Sequence, residues 1–392
     1  MSERGGWLGR PTTVGLLFFV LVLVAYLPGI LHGSFHFDDF HHIRDNPAVR
    51  DAGNLWGLRY FTQPQLWSGE PGNVMYRPVG MLPHAVDYQV WRLVTGDGYH
   101  APGWVLTNAL LHATVALLVW RLALRLGLSH LAAFLAGLVM ALHPVHGEVV
   151  SYISARSESV AAILVLAALL VHLAARERAG PARVAGYALA GALYVLAMTA
   201  KETAALLFVA AAWLELVTTA GPWRRRLGRA AAVGALYAAC FAVVMLVRRE
   251  MLAHAVPPIR FVSPREGADI QVGGGRTYVQ NWLTQSRVVV LYLQLLVRPL
   301  RLTVDHDVRI VTGVTGAVVA ALGLHLALAA AALRELFRGR RLVPLVWGWF
   351  WLFLAPSVVV PLNVVMNEHR LYLPGVAVAL LAGAALARVH AH

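Results

Sequence analysis

The part of the sequence richest in side chains that could do chemistry is the stretch Phe35–Asp51, FHFDDFHHIRDNPAVRD. It places the carboxylates Asp38 and Asp39 side by side and flanks them with imidazole and guanidinium groups, His36, His41, His42 and Arg44. Adjacent carboxylates in such surroundings can accept a proton, bind a cation or cap the next helix. The stretch alone leaves these three roles open, so the residues that the fold brings beside it must decide among them.

A second polar cluster is His143, His146 and Glu148, which follow an apolar run with the spacing H-x-x-H-x-E. Imidazole and carboxylate groups are metal ligands, and the spacing is short enough for a shared ion. The order differs from the H-E-x-x-H of zinc proteases, and Pro144 disturbs the helix that would present both histidines. We therefore favour a hydrogen-bonded helix break that lines a cavity. A metal-dependent membrane hydrolase is the alternative.

Cations of the type that binds phosphate occur at the ends of other apolar runs. Lys201, the only lysine of the chain, offers a compact point charge. Arg77 and Arg370 offer planar groups that can bind a phosphate through two hydrogen bonds. Ion pairs at the membrane interface, and arginines that reach toward lipid headgroups, are the alternative explanation for each of them. As a set they indicate an anion-binding site.

The composition indicates how these residues are positioned. The chain has 392 residues, of which 58% are hydrophobic and 14% charged, and apolar runs of about 20 residues recur along it. This predicts an all-α protein that crosses a membrane many times. The net charge of +13 comes from arginines between the apolar runs, so the positive-inside rule explains it better than nucleic-acid binding does. The single cysteine, Cys240, excludes an internal disulfide.

We predict one transmembrane domain over residues 1–392 with about ten crossings and a cytoplasmic N-terminus. The first apolar segment lacks a small-residue cleavage site and is predicted to be a retained anchor. Two long external loops, 32–100 and 248–311, are predicted, the first with amphipathic helices at the membrane surface and the second with a non-crossing apolar piece at 288–297. The predicted spans are 14–31, 102–120, 130–142, 159–175, 184–200, 203–219, 230–247, 312–333, 343–361 and 371–387.

This topology places most ionisable groups outside the arginine-rich turns on one face of the membrane. Charged groups in a bilayer cost about 2.5–3.5 kcal/mol each near its centre unless they are paired or solvated. Their accumulation on one side therefore predicts a polar cavity that opens outward. The residues placed there are Asp38, Asp39, Arg77, His100, His143, His146, Glu148, Arg156, Glu158, Lys201, Glu202, Asp305, Asp307, Glu368, His369 and Arg370.

Taken together, these segments resemble the TMTC-type O-mannosyltransferases of the GT-C superfamily of polytopic glycosyltransferases. The resemblance covers nearly the whole chain. Members of that family carry a further span and tetratricopeptide repeats, whereas this sequence ends at His392. We expect a shortened piece or a bacterial relative reduced to its membrane domain. The matching pieces, in family order, are FDD at 37–39, DNPAV, YRP at 76–78, GYH…N…LLH at 98–112, HPVHGEVVSYISARSE at 143–158, AKE at 200–202, LRLTVDHD at 300–307 and HRLYLP at 369–374.

The resemblance implies an inverting transfer of one sugar, with mannose the leading candidate, from a polyprenyl-phosphate carrier to an acceptor hydroxyl. It implies Asp39 or Asp38 as catalytic base, with Asp39 preferred. The donor phosphate would be held by Arg77, Arg156, Lys201 and Arg370. Substrates would be oriented by His143, His146, Glu148, Glu158, Glu202 and Glu368.

The resemblance implies a lipid-linked sugar as donor and protein Ser or Thr as acceptor, with transfer outside the cytoplasm. The single lysine and the abundance of Ala, Gly and Val indicate a bacterial source, so we expect the active site on the periplasmic face of a bacterial inner membrane. No nucleic-acid partner and no metal ligand are assigned, and a divalent metal is the less favoured alternative. Because the repeats are absent from the sequence, transfer to a lipid or glycan is the first alternative. A transporter or flippase for an anionic lipid is the second, and it would place charges within spans on both sides of the membrane.

Overall fold

The computed structural model describes residues 6–70, 75–253 and 276–390, and these residues form helices and connecting turns with no β-strand. The predicted all-α class is confirmed. The helices are α1 Pro11–Ala25, α2 Leu27–Leu31, α3 Pro47–Arg50, α4 Leu58–Thr62, α5 Pro78–Thr95, α6 Ala101–Arg125, α7 His130–Leu142, α8 Gly147–Ser151, α9 Arg156–Arg176, α10 Gly180–Ala200, α11 Leu207–Thr218, α12 Trp223–Ala253, α13 Tyr278–Val297, α14 Gly316–Phe337, α15 Leu342–Val359 and α16 Tyr372–His390.

Seven helices of the described residues are long and apolar enough to cross a membrane, and an eighth crossing results if α7 and the bent segment after it form one span. The protein is therefore a multi-pass membrane protein. The sequence predicted about ten crossings. The difference comes from α1 and α11, which have only 15 and 12 residues. A break at Tyr26 shortens α1, and the 3-10 turn Glu202–Leu206 delays the start of α11. Helices of these lengths fall short of the about 20 residues that a straight crossing needs.

The predicted break after the third span is confirmed. α7 ends at Leu142, Pro144 opens a 3-10 turn, and the segment that follows is bent by 49° relative to α7. Proline cannot donate the backbone hydrogen bond that would continue the helix, so the chain turns at this point. The polar residues His143, His146 and Glu148 therefore lie on irregular backbone, which lets their side chains take separate directions.

The two predicted external loops are partly described. Residues 32–70 form turns and short helices that pack on α5, and Tyr60 and Trp67 are buried there, whereas Trp56 is exposed. Part of the second loop, 254–275, lies outside the described residues. The predicted apolar piece 288–297 belongs to the 20-residue helix α13, which is not among the seven helices apolar enough to cross.

Small residues let the helices at the centre of the bundle approach closely. α16 packs along α7, and a Cβ at Gly383 would lie well inside van der Waals distance of the Ala132 carbonyl and the Ala136 backbone nitrogen. In a membrane, such close backbone contact replaces the hydrophobic effect as the force that joins helices. α12 and α14 lie at the periphery with most of their apolar surface exposed.

We predict that Gly383→Ala destabilises the protein by about 1–3 kcal/mol, because the added methyl group must push α16 away from α7. Gly323→Ala on the peripheral helix α14 is the matched control, since no atom lies within 4 Å of its Cβ position. Thermal unfolding in detergent, followed by loss of the monodisperse species, measures both. Equal unfolding temperatures for the two variants would contradict the packing described here.

Candidate active site

Asp39 is fully buried and fastens the first predicted loop to the turn before α9. One of its carboxylate oxygens accepts hydrogen bonds from the backbone N–H and the hydroxyl of Ser154, and the other accepts from the backbone N–H of His36, at 2.9 Å. Burial raises the pKa of Asp39, although these hydrogen bonds act in the opposite direction. The carboxylate has three protein donors, so its main visible role is to position the loop.

Asp38 differs from its neighbour in being accessible. Its side chain is 61% exposed, one oxygen accepts a 3.3 Å hydrogen bond from His41, and its backbone N–H donates to the hydroxyl of Tyr152 at 3.1 Å. The preceding residue, Phe37, has a left-handed backbone with φ of 47°, a costly conformation for a bulky side chain. Asp38 is therefore held at the surface of the site with its carboxylate largely exposed.

Asp38, His41 and His42 each offer a ligand atom, and these atoms lie within 4.8 Å of one another. The second ring nitrogens contact the Ser68 hydroxyl (3.2 Å) and the Trp67 carbonyl (3.3 Å), as is common for imidazoles that bind metals. Desolvation, then the charge of His41, lowers the pKa of His42 to about 4, so this imidazole is neutral at neutral pH. The group could hold a divalent cation in place of the proton that His41 shares with Asp38.

The HPVHGE segment, by contrast, does not gather its three predicted residues around one point. His143 donates to the Leu296 carbonyl at 3.0 Å, Glu148 accepts from the ring and backbone of His369 at 2.7 and 2.8 Å, and His146 is buried against other rings. His143 and Glu148 each have their own hydrogen-bond partner, which fits the favoured interpretation of a hydrogen-bonded helix break, whereas Nδ1 of His146 is buried without one.

Arg77 and Glu202 form an ion pair that extends to an arginine the sequence analysis did not single out. Both Nε and Nη2 of Arg77 contact one Glu202 oxygen, at 2.8 and 2.7 Å, and Arg248 contacts the other at 3.0 Å. Burial alone would raise the pKa of Glu202, but the two guanidinium groups more than offset it and bring that pKa to about 2. Asp38 is close enough that its charge acts on Arg77.

Lys201 is also paired. Its ammonium lies 3.0 Å from Glu158, whose other oxygen accepts from the Thr203 hydroxyl at 3.1 Å. The charge of Lys201 acts on Glu148, and that of Glu158 acts on Arg77. Lys201, Glu158 and Arg77, predicted from separate segments, therefore lie in one electrostatic neighbourhood together with Asp38.

The remaining predicted acid, Glu368, begins the 3-10 turn before α16. It accepts from the backbone N–H of Thr303 at 2.7 Å and from His306 at 3.0 Å. Because Glu368 is next to His369, which bonds Glu148, the turn joins the segment around 303–306 to the HPVHGE segment. A row of polar side chains, called the polar wall below, therefore extends from Lys201 to His306. It consists of Lys201, Glu158, Glu148, His369, Glu368 and His306.

Arg156 and Arg370 lie in different surroundings from the other predicted cations. The guanidinium of Arg156 is fully buried and contacts Asp87 at 2.7 Å, Asn108 at 2.9 Å, and two backbone carbonyls, those of Trp104 and Pro83. Arg370 is 8% exposed and donates to the Val364 and Val365 carbonyls. Both side chains hold the backbone of the site together. Neither guanidinium is exposed to a ligand.

Several residues that contact the predicted site residues were not predicted from the sequence. Ser154 and Tyr152 lie inside the HPVHGEVVSYISARSE motif, so their position in it was a usable signal. Arg248 was assigned to a loop, and Asp87 lies in an amphipathic helix far from Arg156 in sequence. No local pattern marks such partners, because the contacts form only when distant helices meet.

Comparisons with known proteins agree with this architecture. No protein-family model matches the chain. A protein O-mannosyl-transferase of Caenorhabditis elegans is 32% identical over 171 residues, which is 41% of this chain and 23% of the relative. Protein O-mannosyl-transferase Tmtc2 of Drosophila melanogaster is 31% identical over 47% of this chain and 19% of its own length. TMTC3 of Mus musculus is 30% identical over 38% of this chain and 16% of its own length. The matched region thus spans about a fifth of these relatives.

Among solved structures, the archaeal oligosaccharyltransferase AglB from Archaeoglobus fulgidus, in complex with an inhibitory peptide and a dolichol-phosphate, is similar with a TM-score of 0.50. The likeness covers 99% of this chain and 51% of that one at 14% identity. The predicted GT-C fold is confirmed. The predicted resemblance to TMTC-type O-mannosyltransferases is confirmed by the sequence relatives.

We predict that Arg156→Met destabilises the protein by about 3–5 kcal/mol, because it leaves Asp87 buried without its cationic partner. Arg125→Met is the control: it removes an ion pair with Glu177 at 2.9 Å in which both side chains are exposed, and should cost about 0–1 kcal/mol. Thermal unfolding measures both. An Arg156→Met protein with unchanged stability but weakened donor binding would restore the phosphate-binding role that its sequence position indicated.

Proposed function

We propose that this protein is an inverting glycosyltransferase that moves one sugar from a polyprenyl-phosphate carrier to an acceptor hydroxyl. The observation that carries the proposal is the exposed carboxylate of Asp38, close enough to Arg77 for their charges to interact, in a multi-pass protein of GT-C fold. Mannose as the sugar and protein Ser or Thr as the acceptor are supported by the names of the sequence relatives. A lipid-linked donor is supported by the dolichol-phosphate in the AglB complex.

We assign the base to Asp38 and a positioning role to Asp39. A general base must come within hydrogen-bond reach of the proton it removes. Asp38 presents an exposed carboxylate, whereas both oxygens of Asp39 are occupied and buried. The order of preference that the family resemblance implied is thereby reversed in our proposal.

The transfer needs one base and no general acid. The acceptor oxygen attacks the anomeric carbon while its proton passes to Asp38, and the bond between that carbon and the phosphate oxygen breaks. The electron pair leaves on the phosphate, which is already ionised and stable without a proton. Attack opposite to the leaving group inverts the anomeric carbon. This differs from glycosidases, which place two carboxylates about the bond.

The cations around Asp38 favour this charge movement. Arg77, Arg248 and Lys201 carry three positive charges against the two negative charges of their partners Glu202 and Glu158, so the pairing leaves one positive charge to balance the carboxylate of Asp38. Fixed charges of this kind stabilise developing negative charge without reorganising during the reaction. Arg156 and Arg370 are proposed to position the walls.

The polar wall that carries Glu148, His369 and Glu368 is proposed to orient the sugar and the acceptor, with His143 and His146 behind it. Carboxylates and imidazoles are suitable partners for sugar hydroxyls because they accept and donate hydrogen bonds. The arginine-rich turns at the opposite end of the bundle support a cytoplasmic position for that end. We therefore propose a periplasmic site in a bacterial inner membrane.

We predict that Asp38→Asn lowers transfer by at least about 100-fold, as expected when a general base is removed. Asp45→Asn, an exposed carboxylate of the same loop, is the matched control and should transfer normally. The assay uses purified protein, radiolabelled polyprenyl-phosphate-mannose and Ser- and Thr-containing peptides, with turnover followed by label in the peptide.

No transfer by the wild type with any tested acceptor, or full transfer by Asp38→Asn, would contradict the proposal. Transfer that is lost in EDTA and restored by one divalent cation would instead assign Asp38, His41 and His42 to a metal site. Retained transfer in EDTA supports the metal-independent mechanism written above.

A further inference from the structure

A long groove runs between α13 and α14, on the side of the bundle next to the polar wall. It consists of two neighbouring cavities of about 580 and about 960 Å³ that share Val290, Leu291 and Leu324 as lining residues. Cavities of this size enclose ligands as large as a drug molecule. The groove could therefore hold the first units of a long chain and leave the rest outside.

The α14 wall of the groove is suited to an apolar chain that arrives from the bilayer, whereas Arg287, Asp307 and Arg309 line the smaller cavity from the other side. Its α14 wall is formed by Ala317, Ala320, Ala321 and Leu324, and the same helix exposes Val319 and Leu326 on its outer surface. α14 is apolar enough to cross the membrane and is mostly exposed. A hydrocarbon chain lying between α13 and α14 would remain in contact with lipid along its length.

The larger cavity is different at one end, where Arg298 and Arg301 line it together with Gln294 and His306. Both arginines are exposed, and within the described residues neither has a carboxylate at ion-pairing distance. By contrast, Arg77 and Lys201 are each paired with a glutamate at 2.7 and 3.0 Å. An anion that binds Arg298 and Arg301 would not have to displace a protein carboxylate.

The backbone at this end is strained. Arg301 has φ of 62°, in the left-handed region that favours glycine, and the Leu300 N–H bonds the Arg298 carbonyl at 2.7 Å across Pro299. A non-glycine residue in this region costs of order 1 kcal/mol or more and tends to occur where function requires it. The tight turn brings two cations, separated by only two residues, to one cavity.

We propose that this groove holds the isoprenoid chain of the donor and that Arg298 and Arg301 bind its phosphate. This inference rests on the proposed function, which requires a donor with an apolar chain and an anionic head. Two guanidinium groups can bind a phosphate through paired, charge-assisted hydrogen bonds. Mutual repulsion of two unpaired cations is relieved when the phosphate binds between them.

The groove is connected to the proposed catalytic residues. α13 ends next to the break after α7, because His143 donates to the Leu296 carbonyl at 3.0 Å. The segment that follows His143 carries Tyr152 and Ser154, which hold the loop of Asp38 and Asp39. A phosphate at Arg298 and Arg301 would thus lie beside the segment that positions the base, and His306 links it to Glu368.

The test is photo-crosslinking of the purified full-length protein with a benzophenone-tagged farnesyl phosphate, followed by peptide mass spectrometry. We expect the label on α13 or α14, and competition by undecaprenyl phosphate but not by inorganic phosphate or undecaprenol. Arg298→Gln/Arg301→Gln should weaken labelling at least about tenfold, the effect of losing one charge-assisted hydrogen bond or more. Arg338→Gln/Arg340→Gln, which removes two exposed arginines at the other end of α14, should label as the wild type does.

A second variant tests the chain-binding part. Ala320→Trp fills the groove from an exposed position on α14 and should also abolish specific labelling, whereas Leu326→Trp, outside the lining, should not. Labelling of Arg298→Gln/Arg301→Gln at the wild-type level would overturn the inference. So would equal competition by phosphatidylglycerol, which would identify the groove as a site for bulk phospholipid.

The outcome is separable from that of the proposed function. Asp38→Asn should retain full labelling while it loses transfer, since the base does not contact the phosphate in this scheme. If the wild type is labelled specifically but transfers no sugar, the lipid-phosphate site is supported and the proposed glycosyltransferase activity is rejected. If Arg298→Gln/Arg301→Gln transfers normally, with an unchanged KM for the donor, the phosphate site at these arginines is rejected and the proposed glycosyltransferase activity is unaffected.

Discussion

The buried guanidinium of Arg156 is the constraint on which the rest of the site depends. A charge removed from water is tolerated only when partners surround it, and Arg156 is matched by Asp87, Asn108 and backbone carbonyls contributed by α5 and α6. This fixes the start of α9 and, with it, the turn that carries Ser154. Because Ser154 binds Asp39, the position of the first loop follows from a contact buried between helices.

The electrostatics of the site separate two kinds of cation. Lys201 and Arg77 are paired with glutamates, so their charges are balanced and they set distances between helix ends. Arg298 and Arg301 have exposed guanidinium groups beside an apolar groove. A paired cation must give up part of its partner to bind an anion, whereas an unpaired one gains a partner. The anion is therefore expected at cations that have no carboxylate partner.

The sequence predicted the helical membrane class and most of the spans, because apolar runs and arginine-rich turns are local signals. The GT-C fold was expected from the family resemblance of its motifs. The sequence also predicted that Asp38, Arg77, Glu158 and Lys201 come together. It could not distinguish Asp38 from Asp39, because the two residues are of the same type. They differ in burial: the turn that carries Ser154, distant in sequence, covers Asp39 and leaves Asp38 exposed. The sequence assigned Arg156 to phosphate because the partner that neutralises it, Asp87, lies on another helix.

The position of the site follows from a general property of membrane helices. Inside a helix, every backbone polar group is satisfied, so an apolar span has nothing to offer a sugar or a phosphate. Irregular backbone exists only where a span ends, and here the ends carry the 3-10 turns Pro144–His146, Ile153–Ala155, Glu202–Leu206 and Glu368–Leu371. Each turn lies in or next to a polar motif that interrupts the apolar pattern. Hence the same stretch of sequence both ends a span and supplies polar side chains. A site can therefore be built from the ends of many spans.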